Sequence, residues 1–352
     1  MVTVQRIVVP DTQARSWVLL DGQRQPIVAP NEYLSYLHHL GRSPNTVRAY
    51  AHHLQAFANF LCEERQEWKK LGLTELAKFV AWLRSRSVDG RSRSNTTINT
   101  ILAAVSSFYE YQDRLGVETA ISASRRFGAK SPYKPFLHHI SRSGSLRRAV
   151  MQVRATRRLP RVFSAREVQV LLNACIRRRD RLLVSLLYES GMRIGQALGL
   201  RHADIRSYDG EIDIVPRSNG NGALAKSRSP YTVHVSKELM ELYADYLVHE
   251  SQEASHDYVF VNWWSGRIGA PMNYSTVIDL FRKLSARTGL RATPHMFRHT
   301  HATDLLRAGW DPAYVQRRLG HAQIQTTVNT YAHLSSGDLG KMFARYQKER
   351  AR

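Results

Sequence analysis

Thr293 to Tyr331 reads TPHMFRHTHATDLLRAGWDPAYVQRRLGHAQIQTTVNTY, and the reading of the whole chain turns on it. His295 and Arg298 are three residues apart, so on a helix they share a face. Pro294 suits a first helical position, where a missing N–H costs little. The pair therefore falls in the opening turn, where backbone N–H groups and the helix dipole favour an anion. Gly309 is a C-terminal stop, Asp311-Pro312 restarts a helix, and Gly320 ends it. His321 follows that stop directly, and Tyr331 lies in a threonine-rich stretch ten residues on. A cation, two imidazoles and a phenol around a helix start suit a phosphodiester.

The rest of the composition agrees. The chain has 352 residues, enough for two domains, and 43% hydrophobic residues, enough to bury a core. A formal net charge of +22 predicts a polyanionic partner, nucleic acid first and an anionic membrane surface second. Cys62 and Cys175 have no metal-ligand spacing and make no disulfide framework, which fits a reducing cytosol. The start of the chain lacks a signal-peptide run, and Leu182 to Tyr188 is too short to span a bilayer. The expectation is a soluble, intracellular protein.

Residues 1–28 read as a short arm in which VQRIVV and SWVLL could pair as a hairpin. From Asn31 the pattern is helical. Ser43-Pro44 opens a second helix with Val47, Tyr50, Leu54, Phe57 and Leu61 on one face. Thr74 opens a third and Ser94 or Asn95 a fourth, making a four-helix bundle. Arg91 and Arg93, between the last two helices, could touch a DNA backbone. From Thr119 to Arg166 there is no acidic residue but twelve Lys and Arg, including Arg125, Arg126, Arg157 and Arg158. The strip is either a solvated linker or a strap over phosphates, and the exclusion of acids favours the strap.

Ser164-x-x-Glu167 is a capping box that opens the second domain. Helices follow to Ser190, with Gly191 as a stop and Met192-Arg193-Ile194 leading into a short turn. Ile205, Glu211–Val215 and Tyr231–Val235 alternate as strands, with Lys226 in the loop between the last two. Tyr258–Val261 reads as a further short strand. Ser236 and Asn273 cap two more helices, and Leu339 to Arg352 reads as a basic helix.

LLYESGMRIGQALGLRHADI, Lys226 in a hairpin, TPHMFRHTHATDLL, RRLGH and TYAHL occur in this order. Together they resemble the tyrosine recombinase, or phage integrase, family, and the resemblance runs from about Asn31 to His333. Asn219–Val235 and Thr293–Leu334 also look like integrases carried by transposons. The implied fold is mainly α: a four-helix, SAM-like core-binding domain, and an α-rich catalytic domain with a small three-stranded antiparallel sheet. The expected organisation is an arm at 1–28, a core-binding domain at 29–118, a basic linker at 119–162 and a catalytic domain at 163–352.

The resemblance assigns roles. Tyr331 is the covalent nucleophile, although a phenol needs neighbours that favour its anion. Arg193 and Arg298 clamp the non-bridging phosphate oxygens, which suits a planar guanidinium fork. Lys226 protonates the leaving 5′ oxygen, with Arg228 as the competing cation of that loop. His295 and His321 contact the phosphate or assist proton transfer. Gln196 stands where the family often has an acid buttressing the first arginine; it can still hydrogen-bond but carries no charge.

The expected partners are a double-stranded DNA recombination site and three further copies of the chain, with no cofactor and no membrane. The expected localisation is cytoplasmic and nucleoid-associated. A catalytically inactive DNA-binding regulator, a metal-dependent nuclease using His295, His299 and His301, and a type IB topoisomerase are the alternatives.

Overall fold

The computed structural model describes residues 1–8, 15–88, 91–120, 152–155, 161–224, 229–251, 257–264 and 266–320, with Gly340 and Gln347 beyond them. The chain divides into two units, Met1–Arg157 and Arg158–Arg352.

The first unit opens with an antiparallel hairpin, β1 (Thr3–Val8) and β2 (Arg15–Leu20), in which Val4 faces Leu19. Helices α1 (Val28–His39), α2 (Pro44–Glu63), α3 (Leu73–Ser85) and α4 (Asn95–Arg114) follow. Ser43 and Ser94 cap α2 and α4, each accepting from the backbone N–H three residues on. The N-cap of α3 is Gly72, not Thr74, because the Glu75 carboxylate reaches back to the Gly72 N–H at 3.0 Å. On α2, Ala51 and Phe60 are interior while Tyr50 and Leu61 are only half-buried. The apolar stripe is turned because α2 packs against both the hairpin and α4.

The hairpin is part of this core rather than an arm outside it. Strand alternation puts Val2, Val4, Trp17 and Leu19 against the helices, and Val2 and Leu19 are buried. Asn31 of α1 clips β2 at both backbone polar groups of one residue: Oδ1 accepts from Leu19 N at 2.7 Å, and Nδ2 donates to Leu19 O at 2.9 Å. Between α3 and α4, Ser87–Val88 (β3) and Arg91–Ser92 (β4) pair as a minimal ladder. Part of the basic strip is also anchored. Asn99 exchanges two 2.8 Å hydrogen bonds with the Val153 backbone, and Asn95 donates to Arg154 O.

In the second unit, α5 (Ala165–Asn173) starts at the Ser164–Glu167 capping box. Then come α6 (Arg178–Ser190), α7 (Ile194–Ala197), β5 (Ile205–Arg206), β6 (Glu211–Ile214), β7 (Tyr231–His234), α8 (Lys237–His249), α9 (Tyr274–Thr288), α10 (Pro294–Arg307) and α11 (Pro312–Leu319). The three strands form an antiparallel sheet in the order β5-β6-β7, with Ile212 opposite both Ile205 and Val233. Helix α6 is buried around most of its girth, through Leu182, Leu183, Val184, Leu186 and Leu187, so it is the axis of this core. Phe297 of α10 packs against Phe163 and Phe281, and Thr300 Oγ1 accepts from Phe163 N at 2.9 Å. Helix α10 is thereby fixed from two sides. Tyr258–Val261 makes isolated bridges, Arg201 with Tyr258 and Val261 with Pro271, rather than a strand. Pro271 has no N–H with which to continue a ladder. The C-terminal helix expected over Leu339–Arg352 lies outside the described residues, apart from Gly340 and Gln347.

Replacing Asn31 by Ala leaves the Leu19 N–H without its partner, while Leu19 O keeps the Ile27 N–H at 3.1 Å. Denaturant unfolding of the variant should show a loss on the order of 1–2 kcal/mol. Unchanged stability would mean that the hairpin is only an appendage.

Candidate active site

Two glycine stops make the frame of the site. Gly191 ends α6 and Gly320 ends α11, both in the left-handed region at φ 62° and 61°. Neither place has room for a Cβ. At Gly191 it would lie 2.5 Å from the His301 ring, and at Gly320 it would lie 2.8 Å from the Tyr231 ring. Glycine is therefore required by conformation and by close approach together.

Arg298, in the second turn of α10, joins the two stops. Its Nη1 donates to Gly191 O and its Nη2 to Leu319 O, each at 2.7 Å, and the side chain is buried. Both acceptors sit at helix C-termini, whose partial negative charge favours a cation. Arg193 follows Gly191 by two residues and is the N-cap of α7. Its Nη1 reaches Gly320 O at 3.4 Å. Two guanidinium groups thus bond neighbouring carbonyls, Leu319 O and Gly320 O, on the turn directly before His321.

Burial pulls Arg193 down from its ordinary pKa, with Tyr231 acting the other way. An arginine keeps its charge under such a shift. Gln196 does not touch the Arg193 guanidinium. Its Oε1 accepts from Arg193 N at 2.7 Å, and its Nε2 donates to the Tyr231 hydroxyl at 2.9 Å.

His295 lies exposed in the first turn of α10, and its ring stacks on that of His299 at 5.7 Å. Thr293, the N-cap, makes no side-chain cap hydrogen bond. His299 is half-buried, and burial, His295 and Arg298 push it down to about 4. Among the described residues, no three His, Cys, Asp or Glu are grouped to hold a metal ion.

Lys226, His321 and Tyr331 lie outside the described residues, as do Arg125, Arg126, Arg157 and Arg158. Arg91 has its backbone in β4. Arg93 places Nη1 at 3.3 Å from both Leu83 O and Arg86 O, so its head group caps the end of α3.

Two residues at the site carry no signal in the sequence pattern. Arg318 donates from Nε to His301 Nε2 at 3.0 Å, and from Nη2 to Glu189 O and His234 O. It is the second of an Arg-Arg pair on α11, and only the helix rotation tells it from Arg317. Tyr231 looks like an ordinary strand residue. Burial raises its pKa, against the Gln196 hydrogen bond and the pull of Arg298, Arg193 and Arg318. It therefore stands as a neutral phenol among three cations.

The structure thus brings Arg193 and Arg298 together on one turn, each held by backbone carbonyls. The Phage integrase family model matches residues 161–337, and the Phage integrase N-terminal SAM-like domain matches residues 31–115. The chain belongs to the phage integrase family of tyrosine recombinases, enzymes of site-specific DNA recombination. It is 42% identical over 353 residues to transposase A from transposon Tn554 of Staphylococcus aureus, across 97% of each chain. It is 31% identical to tyrosine recombinase XerD of Halalkalibacterium halodurans over 265 residues, 73% of this chain and 83% of that one.

Among solved structures, the Tn1549 transposon integrase in complex with transposon right end DNA matches with a TM-score of 0.63 at 18% identity, over 92% of this chain and 99% of that one. XerH bound to palindromic difH substrate matches at 0.61 and 19%, over 87% and 81%. These two likenesses establish the fold. Among the described residues, no helix is long and apolar enough to cross a membrane.

His301 must be unprotonated to accept from Arg318. Burial, then Arg318, pushes it down to about 3, while a hydrogen bond with the Tyr188 backbone pulls the other way. The unfolded chain takes up this proton near pH 6.5 and the folded chain does not. Between about pH 6.5 and 3 the unfolded state thus binds more protons, and stability falls as pH is lowered, by up to about 1.4 kcal/mol per unit. His301→Gln keeps an acceptor but removes the titration. Urea unfolding at pH 7, 6, 5 and 4 should show a flatter profile for the variant. Parallel profiles would refute the assignment.

Proposed function

We propose that the chain cuts and rejoins double-stranded DNA at a specific site through a 3′-phosphotyrosyl intermediate on Tyr331. The reading is supported above all by Arg193 and Arg298 meeting on the Leu319–Gly320 turn, one residue before His321 and one turn from His295. The Tyr331 oxygen attacks the phosphorus, the bond to the 5′ oxygen breaks, and Lys226 supplies the proton that makes a 5′ hydroxyl. Arg193 and Arg298 stabilise the charge that builds on the non-bridging oxygens. His295 and His321 hold the phosphate or move the phenolic proton. Because the phosphate ester is conserved on the enzyme, a 5′ hydroxyl from a second duplex can attack it and release the tyrosine. Neither a nucleotide nor a metal is needed for that balance.

Four protomers on two sites would exchange one strand from each duplex to make a Holliday junction, then the other strands. The basic strip with Arg125, Arg126, Arg157 and Arg158, and Arg91 and Arg93 in the first unit, would contribute phosphate contacts that set register without reading bases. Such work places the protein in the cytoplasm, on the nucleoid. The likeness to transposase A from transposon Tn554 favours a transposon-borne element as its source.

A nicked suicide substrate tests the chemistry. With its cognate site the chain should form a denaturant-resistant protein–DNA adduct that is absent in Tyr331→Phe. Arg193→Ala should slow its formation by about 100-fold or more. Chelator should leave the yield unchanged. Cleavage that is lost in chelator and leaves no adduct would point to the metal-dependent nuclease; site binding without any adduct would point to the inactive regulator.

A further inference from the structure

We infer that Gln196 and Tyr231 form the positioning unit of Arg193 and take the place of an acidic buttress. This rests on the reading that Arg193 holds a phosphate oxygen. The contacts close on themselves. The Arg193 N–H donates to Gln196 Oε1 at 2.7 Å, and Gln196 Nε2 donates to the Tyr231 hydroxyl at 2.9 Å. The Tyr231 ring lies so close over Gly320 that a Cβ there would meet its Cε1, Cζ and hydroxyl at 2.8 Å. Gly320 O in turn accepts from Arg193 Nη1 at 3.4 Å. The Arg193 backbone N–H and its guanidinium are thereby both referred to the same phenol.

The chemistry of the pair matters as much as its geometry. A carboxylate at this point would set a negative charge beside Arg193 and offset part of its own. An amide and a phenol hold the Arg193 backbone and the Gly320 turn that its guanidinium bonds, and leave the charge for the phosphate. Arg298, Arg193 and Arg318 all act on the Tyr231 hydroxyl electrostatically, each favouring its anion against the larger effect of burial. A hydroxyl that had only to fill space there could be a ring without oxygen. Such a ring would leave the buried amide of Gln196 without its partner across to β7.

Tyr231→Phe keeps the ring over Gly320 and removes only the hydroxyl. In single-turnover cleavage at saturating enzyme we expect a rate about tenfold lower, the size of one lost hydrogen bond. Site affinity should stay within about twofold, and thermal stability should fall modestly because the buried Gln196 amide loses its acceptor. Gln196→Leu should behave alike. Gln196→Glu should stay within about threefold, because a carboxylate accepts from both Arg193 N and the phenol.

The deciding measurement is a double-mutant cycle. In an Arg193→Lys background, which lacks the guanidinium fork, Tyr231→Phe should change the rate by less than about twofold. A full tenfold loss in that background, or no loss in the parent, would overturn the inference. Arg193→Lys cleaving at the parental rate would instead overturn the reading of Arg193 on which it depends.

Discussion

The buried guanidinium of Arg298, bridging Gly191 O and Leu319 O, is the constraint on which the catalytic unit depends. Its two acceptors lie 107 and 21 residues away along the chain, so one side chain ties together three helices that meet only on folding. A buried cation left without partners would be strongly unfavourable, which makes the arrangement nearly all-or-none. The two left-handed glycines follow from it. Each exposes a helix-terminal carbonyl to the guanidinium, and each lets a ring, His301 or Tyr231, close over the backbone.

From that anchor the electrostatics of the site follow. The hydrogen bonds described for Arg193, Arg298 and Arg318 go to Gly320 O, Gly191 O, Leu319 O, Glu189 O, His234 O and His301 Nε2. All six acceptors are neutral. They fix the cations by dipoles, and Gly191 O, Leu319 O and Gly320 O lie at helix ends oriented to favour positive charge. On the proposed reading, such fixed cations would be in place before a phosphodiester arrived, which is what stabilisation of a more highly charged transition state requires. The neutral His301 belongs to the same pattern: its burial keeps a proton off the nitrogen that Arg318 needs.

Most of this architecture is local in origin, and that part is legible in the sequence. Ser43, Ser94, Ser164, Ser236 and Asn273 cap helices where their positions imply, and Gly191, Gly309 and Gly320 stop them. The three-stranded sheet follows from alternation, and motif order singles out Arg193, His295 and Arg298 as candidates. What escapes is whatever depends on contacts between distant segments. The hairpin looks like an arm because its two short strands show their own pairing but not the Asn31 clip or the Val2 and Leu19 packing. Arg93 reads as a surface cation, although Leu83 O and Arg86 O hold it. Arg318 and Tyr231 have no local signature at all, since their significance lies in what the fold brings to them.

The residue at 196 shows how one such long-range contact can reset local chemistry. That position must offer an acceptor to the Arg193 N–H, a demand of the short α7 helix that either Gln or Glu meets. It must also reach the Tyr231 oxygen across the gap to β7. A carboxylate could do so only by accepting the phenolic proton, which would use up the Tyr231 donor. The amide donates instead, so the phenol oxygen is the acceptor and its own proton is turned away from Gln196. A single nitrogen in place of an oxygen thus sets the direction of the hydrogen bond at a hydroxyl on which three guanidinium groups act. It leaves the cluster one negative charge fewer and redirects one proton.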